Sequence, residues 1–194
     1  MSSSPTFLNF LNPDIELDSE FMKGYEGKIQ TKKIERKEII QHHGDKYVKA
    51  FFVKKGLLKS YVLDKNGKEH TLLFAINGWW MSDYIAIYAN EKASLSVEAL
   101  MDSEVIEFNA KDLDKALLTF PEFEVFQRAN LEQHVVSLHR RILNQLQLSA
   151  SERYDLFLEQ YPDIEQHTRN YHIASYLGIT QVSLSRIRVQ KSKQ

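Results

Sequence analysis

The residues best suited to chemistry lie near the end of the chain, between Tyr171 and Arg188. Two helical patterns meet there at Gly178, because glycine readily takes the left-handed conformation that ends a helix. Thr180 follows as a good N-cap for the second helix. Ala174 is small where the two helices must cross closely. We therefore predict a helix-turn-helix whose second helix can enter a major groove of DNA.

The outer face of this second helix carries the groups that we expect to contact DNA. Amide, hydroxyl and guanidinium groups hydrogen bond to base edges and to phosphates. The predicted DNA-binding residues are Thr180, Gln181, Val182, Ser183, Ser185, Arg186, Arg188 and Lys191. The positions expected to be buried, which fix the angle between the helices, are Ile173, Leu177, Ile179, Leu184 and Ile187. A plain helical hairpin is the alternative interpretation.

The charge distribution agrees with this prediction. From Gln166 to Gln194 there is no Asp or Glu, whereas the whole chain of 194 residues has a net charge of -1. A basic terminal segment on an acidic body is typical of nucleic-acid contact, although a solvated basic tail has the same composition.

Other candidate sites are weaker. His42, His43 and His70 could suggest a cupin-type metal site. Adjacent histidines on a strand point to opposite faces and cannot bind one ion together, so we predict neither a metal nor another cofactor. The chain has no cysteine, which excludes disulfides and thiol chemistry. We find no nucleophile–base pair and predict that the protein is not an enzyme.

The first part of the chain is expected to be rich in strands. Short β-branched and aromatic runs, interrupted by Gly and charged turns, predict strands at 48–53, 57–63, 71–76, 94–100 and 104–108. Asn66-Gly67 favours a tight hairpin. A short helix is predicted over 18–28. Many short strands followed by helices predict an α+β chain with an N-terminal jelly-roll-like β-roll.

Helical periodicity dominates the second half. A short helix is predicted over 110–118, and Pro121 opens a long one. Leu131, Val135, Leu138 and Ile142 follow a nearly heptad spacing, which indicates either a dimer seam or a core helix. The pattern Ser149–Glu152 predicts a capping box at the start of another helix, which ends before Pro162. No segment is apolar enough to span a membrane or begins like a signal peptide, so we expect a cytoplasmic protein.

These residues resemble those of the Crp/Fnr superfamily of bacterial transcription regulators. The resemblance is strongest in Ser149–Tyr154, in Tyr161-Pro162 and in Ile173–Arg188, and it is closest to the short members typical of Bacteroidetes genomes. It implies a cyclic-nucleotide-binding-like sensor domain at 1–120, a dimerisation helix at 121–148 and a DNA-binding domain at 149–194. A homodimer would place two recognition helices on palindromic double-stranded DNA.

The resemblance also implies roles for single residues. Gln181, Val182 and Arg186 occupy base-reading positions, and Ser183 and Arg188 lie nearer the phosphates. The chain ends soon after Arg188, which leaves no length for the β-hairpin wing of longer members, so phosphate contacts of a wing would fall to Lys191–Lys193 or be absent. Contact with RNA polymerase is left open.

The phosphate cassette of the family departs from its usual form here. It reads Gly-Glu-Leu and later Arg-Ser-Ala, with the Glu on the ribose and the Arg on the cyclic phosphate. This chain has Ser82-Asp83-Tyr84 and Ala93-Ser94-Leu95. Lys92 is adjacent to the missing arginine, but neighbouring strand residues point to opposite faces. We therefore do not expect cyclic AMP to bind in the usual mode.

Two questions remain open from the sequence. An unknown small-molecule effector could bind a pocket formed by Ser82, Asp83, Tyr84, Lys92 and Ser94, or there could be no effector. The alternative to a DNA-binding regulator is a small-molecule-binding β-roll whose helical tail serves assembly. A cupin-like metalloenzyme is the third hypothesis.

Overall fold

The computed structural model describes residues 30–109 and 121–192. The helices predicted over 18–28 and 110–118 lie outside the described residues. The first described part is a β-roll with the strands β1 Gln30–Ile34, β2 Ile39–Gln41, β3 Lys49–Lys55, β4 Leu58–Leu63, β5 Glu69–Ala75, β6 Trp80–Ser82, β7 Ser96–Ala99 and β8 Ser103–Asn109. They form two four-stranded antiparallel sheets, in the orders β1-β8-β3-β6 and β2-β7-β4-β5.

Apolar side chains from both sheets meet between them, because alternate strand residues point to the same face. Phe51, Leu58 and Met81 are almost completely buried in this first core. The predicted hairpin joins β4 to β5. Its Gly67 has a φ of +75°, and the Asp64 carboxylate accepts the N–H groups of Asn66 and Lys68 at 2.8 and 3.0 Å. The β-roll prediction is therefore confirmed, with β1, β2 and β6 added to the predicted strands.

The second described part is helical. Its helices are α2 Pro121–Gln147, α3 Ala150–Gln160, α4 Ile164–His167, α5 Asn170–Leu177 and α6 Gln181–Lys191, and α1 Tyr84–Tyr88 lies within the β-roll. The predicted capping box opens α3, since the Ser149 N–H donates to Glu152 at 2.8 Å and the Ser149 hydroxyl accepts from the Glu152 N–H. Among the described helices, none is long and apolar enough to cross a membrane.

A second apolar core joins the β-roll to the helices. Phe74 of β5 is fully buried and meets Phe157 and Tyr161 edge-on, with ring centroids 5.9 and 5.7 Å apart. Tyr176 of α5 tilts against the same ring at 5.3 Å. Burying large aromatic side chains from both parts is strongly favourable. The helical part is therefore packed directly onto the sheet, and not merely tethered to it.

Strand β5 is the edge of its sheet, and α5 covers it. An uncovered edge strand exposes N–H and C=O groups that can pair with other chains. Here the N–H of Thr71 donates to the Ser175 hydroxyl at 2.9 Å, and the Tyr171 hydroxyl donates to the carbonyl of Glu69 at 2.8 Å. The first helix of the helix-turn-helix thus uses its polar side chains to satisfy the backbone of the sheet.

Charged groups lie beneath this contact. We call Lys59, Glu69, Glu98 and His172 the interdomain cluster. The Lys59 side chain is only 1% exposed, and its ammonium lies 2.7 Å from Glu69 and 3.1 Å from Glu98. Removing a charge from water is costly unless partners replace its hydration, and here two carboxylates do so.

Candidate nucleic-acid interface

The turn of the helix-turn-helix has the predicted geometry. Gly178 has a φ of +68°, and the next N–H, that of Ile179, returns to the carbonyl of Ala174 at 3.0 Å. The Thr180 hydroxyl then accepts the N–H of Ser183 at 3.0 Å and caps α6. A side chain at position 178 would be strained because its backbone is left-handed.

Buried residues fix the angle between α5 and α6. Ile173 and Leu184 are fully buried, Ala174 and Ile187 nearly so, and Ile179 packs against them. A tightly packed contact between two helices resists changes in their crossing angle. Helix α6 is thereby held rigidly on the rest of the helical part.

Polar side chains cover the opposite face of α6. Gln181, Ser185 and Arg186 are exposed, and Val182 is 60% exposed. Ser183 is half-buried, with its hydroxyl 2.9 Å from that of Thr180. Among the described residues, Arg186 has no ion-pair partner, so its guanidinium faces solvent. Four of the predicted DNA-binding residues thus share one open surface.

Two other predicted DNA-binding residues have partners within the domain. Arg188 forms an ion pair with Glu165 and also donates to the Tyr154 hydroxyl at 3.1 Å and to Asn170 at 2.5 Å. Lys191 lies 2.6 Å from a carboxylate oxygen of Asp155 on α3. Any contact of these two side chains with phosphate would compete with the ion pairs.

An apolar stripe runs along the exposed side of α2. Val135, Leu138 and Ile142 are exposed at the predicted spacing, and Leu146, one turn further on, is 78% exposed, whereas the first predicted position, Leu131, is half-buried. Soluble monomers rarely leave such a continuous apolar stripe in water. The side of α2 that faces β5 and α5 carries Arg141. Its guanidinium donates to the carbonyls of Leu72 and Tyr176 and stacks on the Tyr176 ring.

The residues of the predicted ligand pocket do not form one group. Asp83 is 3% exposed and its carboxylate accepts two contacts from the Ser94 hydroxyl, while Ser82, at the end of β6, is half-buried. Lys92 is exposed at the surface. Ala93, at the position of the family's arginine, is buried.

Tyr84, the remaining residue of the predicted ligand pocket, faces the long helix α2. Its ring centroid lies 4.4 Å from that of His134 on α2. Burial, together with the nearby Tyr88, raises the pKa of Tyr84 to about 12, and burial lowers the pKa of His134. At neutral pH both groups are therefore uncharged, and the contact between β-roll and α2 is an aromatic one.

A cleft of about 1040 Å³ opens beside this contact. Trp79, Trp80 and Tyr84 line it on the β-roll side, and Asn144 and Arg153 line it on the helical side. Of the predicted pocket residues, Tyr84 alone belongs to it. Because the cleft lies along α2, a partner helix or a small molecule could fill it.

The histidines considered as metal ligands lie apart. His42 and His43 are exposed in a turn after β2, and not on a strand as the sequence argument assumed. His70 lies 3.0 Å from Asp64 in the β4–β5 hairpin. The described residues contain no group of three or more side chains arranged to hold a metal ion.

Sequence reasoning missed the interdomain cluster and the partners of Asp83. One signal for the cluster was available: Lys59 interrupts the apolar run from Leu57 to Val62, where a solvated lysine is out of place. The donors around Asp83 are mainly backbone N–H groups, which no residue type reveals.

Comparisons with known proteins agree with this architecture. Residues 31–120 match the family model of the cyclic nucleotide-binding domain. FixK2 from Bradyrhizobium japonicum is 20% identical over 86% of this chain and 85% of its own, with a TM-score of 0.73. CooA from Carboxydothermus hydrogenoformans is 20% identical over 100% of this chain and 87% of its own, with a TM-score of 0.70.

A third structure carries the family name. A protein from Eubacterium rectale, assigned to the crp/fnr family of transcriptional regulators, is 18% identical over 91% of this chain and 85% of its own, with a TM-score of 0.71. No curated protein sequence matches the chain. Residues 31–120 thus match the cyclic nucleotide-binding domain family, and the chain shares its fold with FixK2, CooA and the Eubacterium rectale protein.

Proposed function

We propose that the protein is a homodimeric regulator that binds specific sequences in double-stranded DNA and acts in the cytoplasm. The observation that carries this proposal is the face of α6, where Gln181, Val182, Ser185 and Arg186 are exposed beside a rigidly packed turn. Amide and guanidinium groups at the start of a recognition helix suit bidentate contacts with adenine and guanine. The regulators with the same fold support the proposal.

Dimerisation is part of the proposal. The apolar stripe of α2 suits a second copy, because a two-fold axis brings identical stripes together. Two recognition helices would then meet half-sites about 34 Å apart, one turn of DNA. The stripe continues to Leu146, directly before the DNA-binding domain, so the axis would pass close to both recognition helices.

The proposal includes a sensor domain that does not use cyclic AMP. Ala93 removes the cation that a cyclic phosphate needs, and the Asp83 carboxylate already accepts the N–H groups of Ser94 and Leu95. The structure with the same fold from Xanthomonas campestris is described as a c-di-GMP-responsive regulator, at 12% identity over 89% of this chain and a TM-score of 0.67. That protein with the same fold thus responds to a nucleotide other than cyclic AMP.

Salt-dependent DNA binding tests the proposal. Binding of the purified protein to duplexes from the region upstream of its own gene is measured by gel retardation at several salt concentrations. A dimer that neutralises about six phosphates should lose roughly 10³ in affinity between low and physiological salt. No retardation at low salt would instead favour a β-roll whose helices serve only assembly.

A further inference from the structure

We propose that the Asp83 carboxylate is a built-in anionic ligand of the β-roll, which fills the anion site of the cassette in place of an external phosphate. The inference deepens the proposed function, since it concerns how the sensor domain is regulated. It depends on the β-roll alone, and its test requires no DNA. Failure of one proposal can therefore be distinguished from failure of the other.

The evidence is the set of donors around this carboxylate. One oxygen of Asp83 lies 2.6 Å from the N–H nitrogen of Ser94 and 3.0 Å from that of Leu95. The other lies 2.8 Å from the Ser94 hydroxyl and 3.1 Å from the N–H nitrogen of Ala86. Successive backbone N–H groups that point at one place form an anion-binding concavity. Here that concavity is occupied by the chain itself.

Burial and charge argue against a second anion in the same place. Asp83 is 3% exposed, so water does not supply its hydrogen bonds. Its four donors are backbone N–H groups and a hydroxyl, without formal charge, and the neighbouring Ala93 contributes a buried methyl group. An incoming phosphate would have to displace the carboxylate or lie beside it, where like charges repel strongly in a poorly hydrated site.

Asp83 also links the β-roll to the long helix α2. Tyr84 follows it directly and contacts His134 of α2. The carboxylate also caps α1, so it fixes the backbone that presents Tyr84 to the long helix. The chain itself thus holds the start of α1, and with it Tyr84, without a bound ligand.

Chemical rescue tests this proposal. Asp83→Ala leaves buried donors without an acceptor and should lower the melting temperature by about 10 °C. Formate carries the missing carboxylate and fits the space left by the side chain. Sodium formate should therefore raise the melting temperature of Asp83→Ala by about 3 °C relative to sodium chloride at equal ionic strength. The wild-type protein should show no such difference.

Asp64→Ala is the matched control. The Asp64 carboxylate also accepts two backbone N–H groups, but it lies in an open hairpin where water can replace it. This variant should not respond to formate. Equal responses of both variants, or a folded Asp83→Ala that formate does not stabilise, would overturn the proposal.

A second variant covers the case in which Asp83→Ala does not fold. Asp83→Asn keeps the shape of the side chain, but its amide N–H₂ group is itself a donor and would face the N–H and hydroxyl donors that contact Asp83. It should melt several degrees lower than Asp64→Asn, because buried donors facing a donor are costly and exposed ones are not. If Asp83→Asn melts at the same temperature as Asp64→Asn or higher, the anion site has no energetic role and the proposal fails.

Discussion

Oε1 of Glu69, on the edge strand of the β-roll, lies 2.9 Å from Nδ1 of His172, on the first helix of the helix-turn-helix. The same oxygen is 2.7 Å from the ammonium of buried Lys59, which lies 3.3 Å from the imidazole nitrogen. Nδ1 therefore serves best as a donor to the carboxylate. One side chain of the β-roll thus binds both its own sheet and the helix-turn-helix.

The Glu69 carboxylate should make the stability of the protein depend on pH. Burial alone would raise the pKa of Glu69, but hydrogen bonds from His172 and Lys59 outweigh it, and the pKa lies below its ordinary value. A carboxyl group whose pKa is lowered by folding stabilises the folded state above its unfolded pKa, and this stability is lost as the pH falls through the folded pKa. Glu69→Gln should reduce the free energy of unfolding at neutral pH by about 1–3 kcal/mol.

Urea unfolding of wild type and variant between neutral and acid pH measures this effect, and the difference should shrink toward low pH. Glu38→Gln is the control, because the side chains of the Glu38–Lys32 pair, 3.4 Å apart, are both exposed. Surface pairs of this kind contribute about 0–1 kcal/mol. A difference between wild type and Glu69→Gln that stays constant with pH would contradict the assigned role.

Dimerisation should depend on the apolar stripe of α2. Leu138→Glu places a charge in the proposed interface, where it would be desolvated without a partner. We expect monomers by light scattering, with the β-roll still folded by circular dichroism. Leu63→Glu, at another exposed leucine on strand β4, should remain dimeric. A dimeric Leu138→Glu would place the interface on a different face.

Cyclic nucleotides should have no effect on the protein. A ligand that binds tightly to the folded state raises the melting temperature by mass action. Because Ala93 stands where the family has arginine and Asp83 occupies the N–H groups of Ser94 and Leu95, millimolar cyclic AMP or cyclic GMP should change neither the melting temperature nor the affinity for DNA. A clear thermal shift with either nucleotide would show that the cassette still accepts a phosphate.

Local patterns predicted the helix-turn-helix and most of the β-roll. The turn at Gly178, the cap at Thr180 and the capping box at Ser149 each depend on residues close in sequence, so residue type and spacing reveal them. The hairpin at Asn66-Gly67 is local in the same way. Short elements with weak patterns, such as α1 and α4, were not predicted.

Long-range contacts could not be read from the sequence. His172 lies in a helix that the motif explains completely, yet its partner Glu69 is distant in sequence and on another domain. Arg188 and Lys191 were predicted to lie near phosphate from the family resemblance and from their position late in α6, whereas their neighbours Glu165 and Asp155 become visible only when α3, α4 and α6 are packed together. Charge alone does not distinguish an ion pair within a domain from a contact with DNA.

The last prediction separates reading of bases from positioning on the backbone. Arg186 is exposed on α6, and its guanidinium can make a bidentate contact with guanine, which is worth about 1–3 kcal/mol of discrimination. Arg186→Ala should therefore lose roughly 10-fold to 100-fold in affinity for the cognate site while keeping most of its non-specific binding. Lys191→Ala is the control, and it should weaken all sequences about equally. Affinities for cognate and scrambled duplexes, measured over a range of salt, provide both numbers. Because Lys191 is paired with Asp155, Lys191→Ala should lower the slope of log affinity against log salt concentration by less than the one unit expected for the loss of a free cation. If both variants reduce specific and non-specific binding by the same factor, Arg186 does not read a base.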